Sequence, residues 1–309
     1  MSCPTLLEVL VSVCQLPDSA PDTYVNEGPL IQQPVGEDAF GGSVIGQAVS
    51  AASATVPCGF ALYSSQSSFL RPVKAIRTVA YHVDRTADGR SYCTRVVRAN
   101  QGGPCLFVSI VAFHKARTAN VGTDRPTYAD PMPNLGQLGP HNLQRQGFEQ
   151  MNFQIGQEGK LSHLGVRAED PFEWRLLPVE PGRDPSQTRI CGYVRPNTTT
   201  PPLAHSAAVN MASLALLSDQ SLFELSLFAN WDTVPKEWRR FAMTISLNSR
   251  ISFRAPTTAM DEWIVCESGI SWGEDEQICA EQRFWNHKTG KLVMTCIQDA
   301  VISREGSAL

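Results

Sequence analysis

The protein has 309 residues, of which 42% are hydrophobic and 18% charged, and its formal net charge is −4. These values are typical of a soluble globular protein with a sizeable core, and they argue against a basic nucleic-acid-binding surface. No uninterrupted apolar run approaches the length that crosses a bilayer, so we expect no membrane span.

Nine cysteines are scattered along the chain, and none is arranged as Cys-x-x-Cys. Several lie in apolar, strand-like runs, as buried free thiols do. The pattern predicts a reducing compartment and neither a disulfide framework nor a zinc site. The six histidines show no metal-ligand spacing, so we expect no metal and no other cofactor.

The ends of the chain bear on its location. The N-terminal segment lacks a basic region and its apolar stretch is interrupted by Glu8, which is unlike a secretory signal. The last three residues, Ser-Ala-Leu, are similar to the peroxisomal address Ser-Lys-Leu but lack its basic middle residue. We expect a cytoplasmic or peroxisomal protein.

In chain order, the first predicted element is a short helix with Leu6, Leu10 and Cys14 on one stripe. A Gly-led run of small and apolar residues, 40–57, predicts a long helix that stops at a proline. Strand-like patterns follow at 62–70, 76–84, 91–99 and 106–114. The stretch from about 118 to 170 is rich in Pro, Gly, Gln and Asn and predicts a linker.

A second structured region repeats this order. It begins with short strands at 172–179 and 189–196 and an apolar helix at 205–217. Longer strands follow at 243–253, 261–268, 278–287 and 291–303.

The two regions also share local motifs. Each has a cysteine, an asparagine seven residues later, a glycine turn and an apolar strand, and SFLRP in the first corresponds to SFRAP in the second. We interpret this as an internal duplication of about 120 residues, too long for a solenoid unit. The predicted domains are 1–118 and 169–309, joined by a linker at 119–168, with the catalytic residues in the second domain.

Gln298 is the unusual residue of the last strand. By strand alternation it shares a face with Met294, Cys296 and Ala300, so its amide is expected in the core. A buried amide without a partner costs about 1–3 kcal/mol. When the two regions are aligned by matching Leu106 to Leu292, the residue of the first region that corresponds to Gln298 is Ala112.

Six segments carry a resemblance to a known family. They are FGGSVIGQA (40–48), SSFLRP (67–72), DGRSYCTRVVRA (88–99), LLSD (216–219), SLNSRISFRAP (246–256) and the strand with Gln298. In this order they resemble acyl-CoA thioesterases of the thioesterase II type. The resemblance implies an α+β double hotdog fold, in which a helix wrapped by a long antiparallel sheet occurs twice.

The resemblance also implies a site. Matched by position, Asp219, Ser246 and Gln298 are the residues that hold the attacking water, with Asp219 as general base and no covalent intermediate. The chain has Asn248-Ser249 where relatives usually have Asp-His, and Tyr63 and Gln66 on a strand that often carries His. These departures near the expected acyl pocket suggest an unusual acyl group, such as a polyketide-like chain.

Other readings of these residues stay open. Asp219 could simply open a turn, Ser246 could belong to a polar strand face with Asn248 and Arg250, and Gln298 could bind a loop carbonyl. The segment with Gly42 and Ser43 could contact substrate through free backbone N–H groups or serve close helix packing. Two arginines at strand ends, Arg71 and Arg254, are expected to be solvated rather than bound to CoA phosphates.

The segment Gly269-Ile270-Ser271-Trp272-Gly273 matches the Gly-x-Ser-x-Gly nucleophile motif. That motif joins a strand to a helix and precedes an Asp and a His. Here another predicted strand follows, so we interpret the match as part of a hairpin.

The sequence therefore predicts an enzyme that hydrolyses an acyl-CoA thioester, without nucleic-acid partners and with a tendency to form homo-oligomers through open sheet edges. One alternative is a hotdog hydratase or dehydratase, which would need a histidine beside the acid. The other is an acyl-binding module without catalysis.

Overall fold

The computed structural model describes residues 4–17, 19–33, 36–116, 128–145, 171–179, 184–197, 206–220, 241–255, 260 and 262–304. Within them lie three α-helices: α1 (Leu6–Val11), α2 (Gly41–Ala54) and α3 (Ala207–Leu217). No helix among these residues is long and apolar enough to cross a membrane.

The described part of the chain also contains twelve strands. They are β1 (Val13–Gln15), β2 (Thr23–Asn26), β3 (Phe60–Phe69), β4 (Ala80–Asp88), β5 (Tyr92–Asn100), β6 (Phe107–Lys115), β7 (Phe172–Leu176), β8 (Ile190–Pro196), β9 (Phe241–Phe253), β10 (Ile264–Glu274), β11 (Gln277–Asn286) and β12 (Leu292–Arg304).

All twelve strands form one antiparallel sheet in the order β1-β2-β4-β5-β6-β3-β9-β12-β11-β10-β8-β7. The order of the first six strands is repeated in reverse by the last six, with β3 and β9 paired at the centre. Glycines with positive φ, Gly102 and Gly290, turn the chain between β5 and β6 and between β11 and β12, a conformation that glycine adopts at no steric cost. These features agree with the predicted duplication.

The core lies between this sheet and the pair α2 and α3. The two helices approach closely because α2 has glycines where they meet. A Cβ on Gly42 would lie 2.4 Å from the Leu216 backbone oxygen, and one on Gly46 would lie 3.0 Å from that of Ala212. Close packing is thus one reason for the glycine-led start of α2.

Two predicted elements differ from the structure. Helix α1 ends at Val11 because Ser12 is extended, so Cys14 lies in β1 rather than on the helix. The strand predicted at 76–84 begins at Ala80. Its expected start is a loop in which the backbone oxygen of Arg77 accepts a hydrogen bond from the Gln101 side chain at 2.9 Å rather than from a neighbouring strand.

Residues 128–145, inside the predicted linker, pack on the second half of the sheet. The Tyr193 hydroxyl donates to the Leu138 oxygen at 2.9 Å, and the Trp285 indole N–H donates to the Asp130 oxygen at 2.9 Å. The contact lies on the opposite face from the helices, since Tyr193 and Trp285 belong to a cluster separate from the main core.

The Gly-x-Ser-x-Gly segment lies within β10, and a turn with positive φ at Asp275 and Glu276 leads into β11. Ser271 is exposed and donates to the Cys279 backbone oxygen at 3.3 Å. The hairpin interpretation is confirmed, because no helix follows the serine.

Candidate active site

Asp219 lies just beyond the end of α3 and faces the start of α2. It is 7% exposed, and the Gly42 backbone N–H donates to its carboxylate. A Cβ on Gly41 would come within 2.7 Å of the Asp219 Oδ2 atom. The C-terminal end of a helix disfavours a negative charge, whereas the N-terminal end of α2 favours it. The helix pairing therefore compensates for an unfavourable position.

Gln298 and Ser246 complete a three-way contact with this carboxylate. The Gln298 Nε2 group donates to Asp219 Oδ1 and, at 2.6 Å, to the Ser246 Oγ atom. The Ser246 hydroxyl in turn donates to Asp219 Oδ1 at 3.3 Å. Gln298 is fully buried. Its amide N–H groups thus bind a carboxylate and a hydroxyl rather than a loop carbonyl.

Ser246 reaches the site through a β-bulge at Leu247. In the pairing of β9 with β12, Asn248 lies opposite Asp299, whereas Ser246 lies opposite Ala300, so Leu247 is the extra residue. A bulge residue shifts the alternation of side chains by one position. Ser246 therefore points to the inner face of the sheet.

The polar strand face expected for Ser246 is corrected by this bulge. Ser249 pairs with Gln298, and paired residues share a face, so Asn248 and Arg250 lie on the outer face. Simple alternation would have placed Ser246 with them. A bulge has no signal in the residues themselves, which is why the sequence pattern missed it.

Burial raises the pKa of the Asp219 carboxyl from 3.8 to about 6. Removal from water disfavours the charged form, and this outweighs the hydrogen bonds from Gln298, the Gly42 N–H and Ser246, which favour it. A carboxyl with this pKa is ionised at neutral pH and still basic enough to take a proton.

The first half of the molecule lacks this chemistry. Thr55 and Ser218 each end a helix by donating their hydroxyl three residues back, at 2.8 and 2.7 Å, so Val56 is the counterpart of Asp219. The strand registers make Leu62 the counterpart of Ser246. Both positions are apolar.

The counterpart of Gln298 is also apolar, but it is Val111 rather than Ala112. Val111 pairs with Ser65 as Gln298 pairs with Ser249, and it is fully buried. The alignment through Leu106 and Leu292 was wrong by one residue, and such a slip moves a side chain to the other face of a strand.

The predicted substrate-binding residues are not all brought to the site. Gly42 contacts Asp219 through its N–H. The buried Ser43 hydroxyl accepts the Ile31 N–H at 3.2 Å, and its own N–H donates to the Phe40 oxygen at 3.0 Å. Ser43 therefore serves the turn that starts α2.

Tyr63, Gln66 and Asn248 are placed away from the carboxylate. Gln66 pairs with Arg250 and is exposed, so it lies on the outer face with Asn248. The Tyr63 ring packs against the rings of Tyr92 and His114, with centroids 6.1 and 5.9 Å apart. None of the three has a described contact with Asp219, Ser246 or Gln298.

The structure adds Gln220, which the sequence analysis did not single out. It directly follows Asp219 and is fully buried, yet neither its Nε2 nor its Oε1 atom has a hydrogen-bond partner within the part of the chain that the structure describes. The Oε1 atom of Gln298 and the Oγ atom of Ser213 are also buried without partners. A polar residue directly after the acid at a helix end was the available signal.

The described residues give no sign of other site types. No three His, Cys, Asp or Glu side chains among them could hold a metal ion together. No histidine within the described ranges contacts Asp219, whose partners are Gln298, Ser246 and the Gly42 N–H.

Two family models and several named proteins are similar to this chain. The family models of the acyl-CoA thioesterase N-terminal domain and C-terminal domain match residues 31–114 and 145–302. Human acyl-coenzyme A thioesterase 8 is 26% identical over 274 residues, which cover 85% of this chain and 80% of the relative. A peroxisomal acyl-coenzyme A thioester hydrolase 1 from Saccharomyces cerevisiae is 29% identical over 110 residues, 35% of this chain and 31% of the relative.

Solved structures share the fold. Acyl-CoA thioesterase II TesB2 from Mycobacterium marinum superposes with a TM-score of 0.73 at 21% identity, over 97% of this chain and 99% of that chain. The dehydratase domain of RzxB from Pseudomonas fluorescens is less similar, with a TM-score of 0.53 at 11% identity over 96% and 99%. Together with the paired helices and their common sheet, these likenesses confirm the predicted double hotdog fold.

Proposed function

The chain belongs to the acyl-CoA thioesterase family, and we propose that Asp219, Ser246 and Gln298 carry out its hydrolysis of acyl-CoA thioesters. The observation that carries the proposal is the three-way contact of these side chains in a buried position. The first half of this chain has the same arrangement of strands and helix, but its three equivalent positions are apolar. The polar set is therefore not a requirement of the fold.

In the proposed reaction a water molecule attacks the thioester carbonyl directly. Asp219 accepts one proton of the water as general base. The Gln298 Oε1 atom has no partner and accepts a hydrogen bond from the other water proton, while Nε2 holds Asp219 and Ser246. The C–S bond then breaks, the free acid forms, and the CoA thiolate takes up the proton held by Asp219, which returns the carboxylate to its starting state.

The start of α2 contributes to the same reaction. Negative charge develops on the thioester oxygen during attack, and preorganised N–H dipoles stabilise such charge strongly in a buried site. Because the first turn of α2 faces Asp219, we propose that its positive end assists the oxyanion. The site then needs a helix from each half of the molecule.

A covalent route through a thiol is disfavoured by the surroundings of Cys296. This residue is two positions before Gln298 on the same strand face, and it is buried. Burial raises the pKa of its thiol to about 12, so the thiol stays protonated at neutral pH. The thiolate, which is the reactive form, is absent there.

The proposal is tested by measuring free CoA released from a panel of acyl-CoA thioesters by the purified protein and by its Asp219→Asn variant. Chromatographic detection of CoA avoids interference from the protein's own thiols. Release by the native protein and near-complete loss in the variant would support the assignment. A hydratase or dehydratase would convert an enoyl or hydroxyacyl thioester without releasing CoA.

Three further proposals concern the whole protein. We propose domains at 1–118 and 169–309 with a connecting segment at 119–168. We also propose a location in the cytoplasm or the peroxisome, the latter supported by the name of the yeast relative.

We also propose a homo-oligomer, because the sheet ends in two edge strands, β1 and β7, and open edges favour pairing. Light scattering that shows only monomer at micromolar concentration would contradict the last.

A further inference from the structure

Gln220 is a buried carboxamide that no group among the described residues satisfies. It is fully buried, and both its donor and its acceptor atoms lack partners. Buried polar groups in folded proteins are almost always hydrogen-bonded, so each exception calls for an explanation. A bound ligand that supplies the missing partners is one such explanation.

A second buried carboxamide shows what a structural role looks like in this chain. Gln47, in the middle of α2, is also fully buried. Its Nε2 group donates to the Leu10 oxygen at 2.9 Å, and its Oε1 atom accepts from the Tyr81 hydroxyl at 2.8 Å. Gln47 thus joins three elements with both amide atoms satisfied, whereas Gln220 joins none.

The position of Gln220 links it to the reaction. It follows Asp219 directly, so the two Cα atoms are about 3.8 Å apart. The polar group is confined to the half that carries the acid, because the residue after Val56 in the first half is an exposed proline, Pro57. The fold therefore does not require a polar side chain at the position of Gln220, just as it does not at the positions of Asp219, Ser246 and Gln298.

Helix α3 carries another polar atom without a described partner. Ser213, seven residues earlier, is 1% exposed, and its Oγ atom has no partner. Ser213 lies within α3, whereas Gln220 lies in the turn beyond the last helical residue, Leu217. The neighbouring Leu214 and Leu217 are fully buried and apolar. Two buried polar groups without described partners therefore lie in α3 and in the turn that follows it.

We propose that Gln220 is a specificity-determining residue that binds a hydroxyl group on the acyl chain of the substrate. This rests on the proposed thioesterase function. A hydroxyl both donates and accepts, so it satisfies Oε1 and Nε2 together, whereas a keto oxygen satisfies only Nε2. Because Gln220 adjoins Asp219, the hydroxyl is near the thioester, on the second or third carbon of the acyl chain.

Residues on the inner face of the sheet, rather than on its outer face, support an unusual acyl group. The sequence pointed to Tyr63, Gln66 and the pair Asn248-Ser249, and of these Gln66 and Asn248 lie on the outer face of the sheet. Ser249, by contrast, pairs with Gln298 on the inner face and is 2% exposed. Its hydroxyl has only the Cys296 sulfur as a described partner, at 3.7 Å. A polar acyl group is thus supported by residues inside the molecule.

The experiment compares pairs of thioesters that differ by one oxygen: butyryl-CoA with 2- and 3-hydroxybutyryl-CoA, and octanoyl-CoA with its two hydroxylated forms. A site that hydrogen-bonds a substrate hydroxyl discriminates strongly against the analogue that lacks it. We expect kcat/KM of the native protein to favour a hydroxylated member of each pair by about tenfold or more.

Two variants separate a specificity role from a structural one. Gln220→Met should bring the preference to about one without lowering Tm, since a buried group without partners is removed. Gln47→Met, the matched control, should lower Tm and leave the preference unchanged.

The outcomes are distinct. Equal kcat/KM for both members of every pair in the native protein overturns the proposal, and so does a preference that persists in Gln220→Met. The first of these outcomes is measured on the native protein, so it does not depend on whether a variant folds. If no CoA is released from any thioester, with or without a hydroxyl, the proposed thioesterase function itself is overturned.

Discussion

The amide group of Gln298 donates to the carboxylate of Asp219 across 79 positions of sequence. The bond joins a residue that follows a helix to one in the last strand, and a bulge brings Ser246 to the same carboxylate. One oxygen of Asp219 is thus held by two side chains. The other, Oδ2, lies close to Gly41 at the start of α2, where it would be 2.7 Å from an added Cβ.

If this geometry is the active site, Asp219→Asn and Gln298→Ala should each remove most of kcat while the fold is kept. Loss of a general base typically lowers the rate by about 10²–10⁴. Ser246→Ala should have a smaller effect, because Asp219 and Gln298 still contact each other. Steady-state kinetics with far-ultraviolet circular dichroism as a fold check would measure this.

Two further variants make that test specific. Ser271→Ala, in the Gly-x-Ser-x-Gly segment, should leave kcat unchanged because Ser271 is exposed on the hairpin. The double variant of Asp219 and Gln298 should be little worse than the poorer single one, since both act on one water. An inactive Ser271→Ala beside an active Asp219→Asn would refute the assignment.

The pH dependence of activity should report the Asp219 carboxyl. Its pKa of about 6 predicts that kcat/KM rises about tenfold per pH unit below pH 6 and becomes constant above it. The base must be ionised to take a proton, so the limb rises with pH. A profile without a limb near pH 6 would point to a different base.

The same carboxyl should make stability depend on pH. Between about pH 4 and 6 the folded protein keeps a proton that the unfolded chain has lost, so stability falls as pH rises through this window. The pKa change from 3.8 to about 6 corresponds to about 3 kcal/mol. Asp219→Asn should therefore be more stable than the native protein at pH 8, with the difference largely gone at pH 4. Urea unfolding at both pH values would measure it.

Because α2 approaches Asp219 closely, adding one methyl group at Gly41 should have a strong effect on activity. A Cβ on Gly41 would lie 2.7 Å from Asp219 Oδ2 and 2.9 Å from the Phe69 ring. Gly41→Ala should displace these side chains and lower kcat at least tenfold, with a stability loss of about 1–3 kcal/mol. Gly103→Ala is the matched control, since its Cβ would meet nothing within 4 Å, and it should keep full activity.

Among the described cysteines, the thiols should divide into one fast-reacting group and several slow ones. The sequence predicted buried cysteines, but Cys58 is exposed, so that expectation is wrong for this residue. Cys93, Cys266 and Cys296 are buried. A thiol reagent should modify Cys58 rapidly and those three only on unfolding, and Cys58→Ser should remove one equivalent from the fast phase. Adding a reductant should leave Tm unchanged. A large decrease in Tm would contradict the prediction that the cysteines are free thiols.

Much of this architecture is predictable from the sequence because its signals are local and repeated. The helix at Gly41–Ala54 and the strands on either side of Gly102 and Gly290 follow from turn residues and apolar runs. Gln298 was identified because a lone amide interrupts an apolar strand face. These patterns need no knowledge of distant contacts.

The remaining features depend on tertiary contacts that have no local signal. The bulge at Leu247 decides which face Ser246 takes, and the missing partners of Gln220 become evident only when every neighbour is known. The outward positions of Gln66 and Asn248 follow from strand register. Sequence patterns gave the elements correctly more often than the faces of their side chains.

The central pairing of β3 with β9 has a consequence for biosynthesis. The N-terminal half leaves the ribosome first, so β3 has an open edge until β9 is made, and open edges of this kind recruit other chains. The five β3 residues that will pair with β9 are Ser64, Ser65, Gln66, Ser67 and Ser68. Aggregating strands are apolar and rich in β-branched residues, and this segment has neither property. Its serines therefore make this temporary edge a poorer template for pairing between half-made copies than an apolar strand would be.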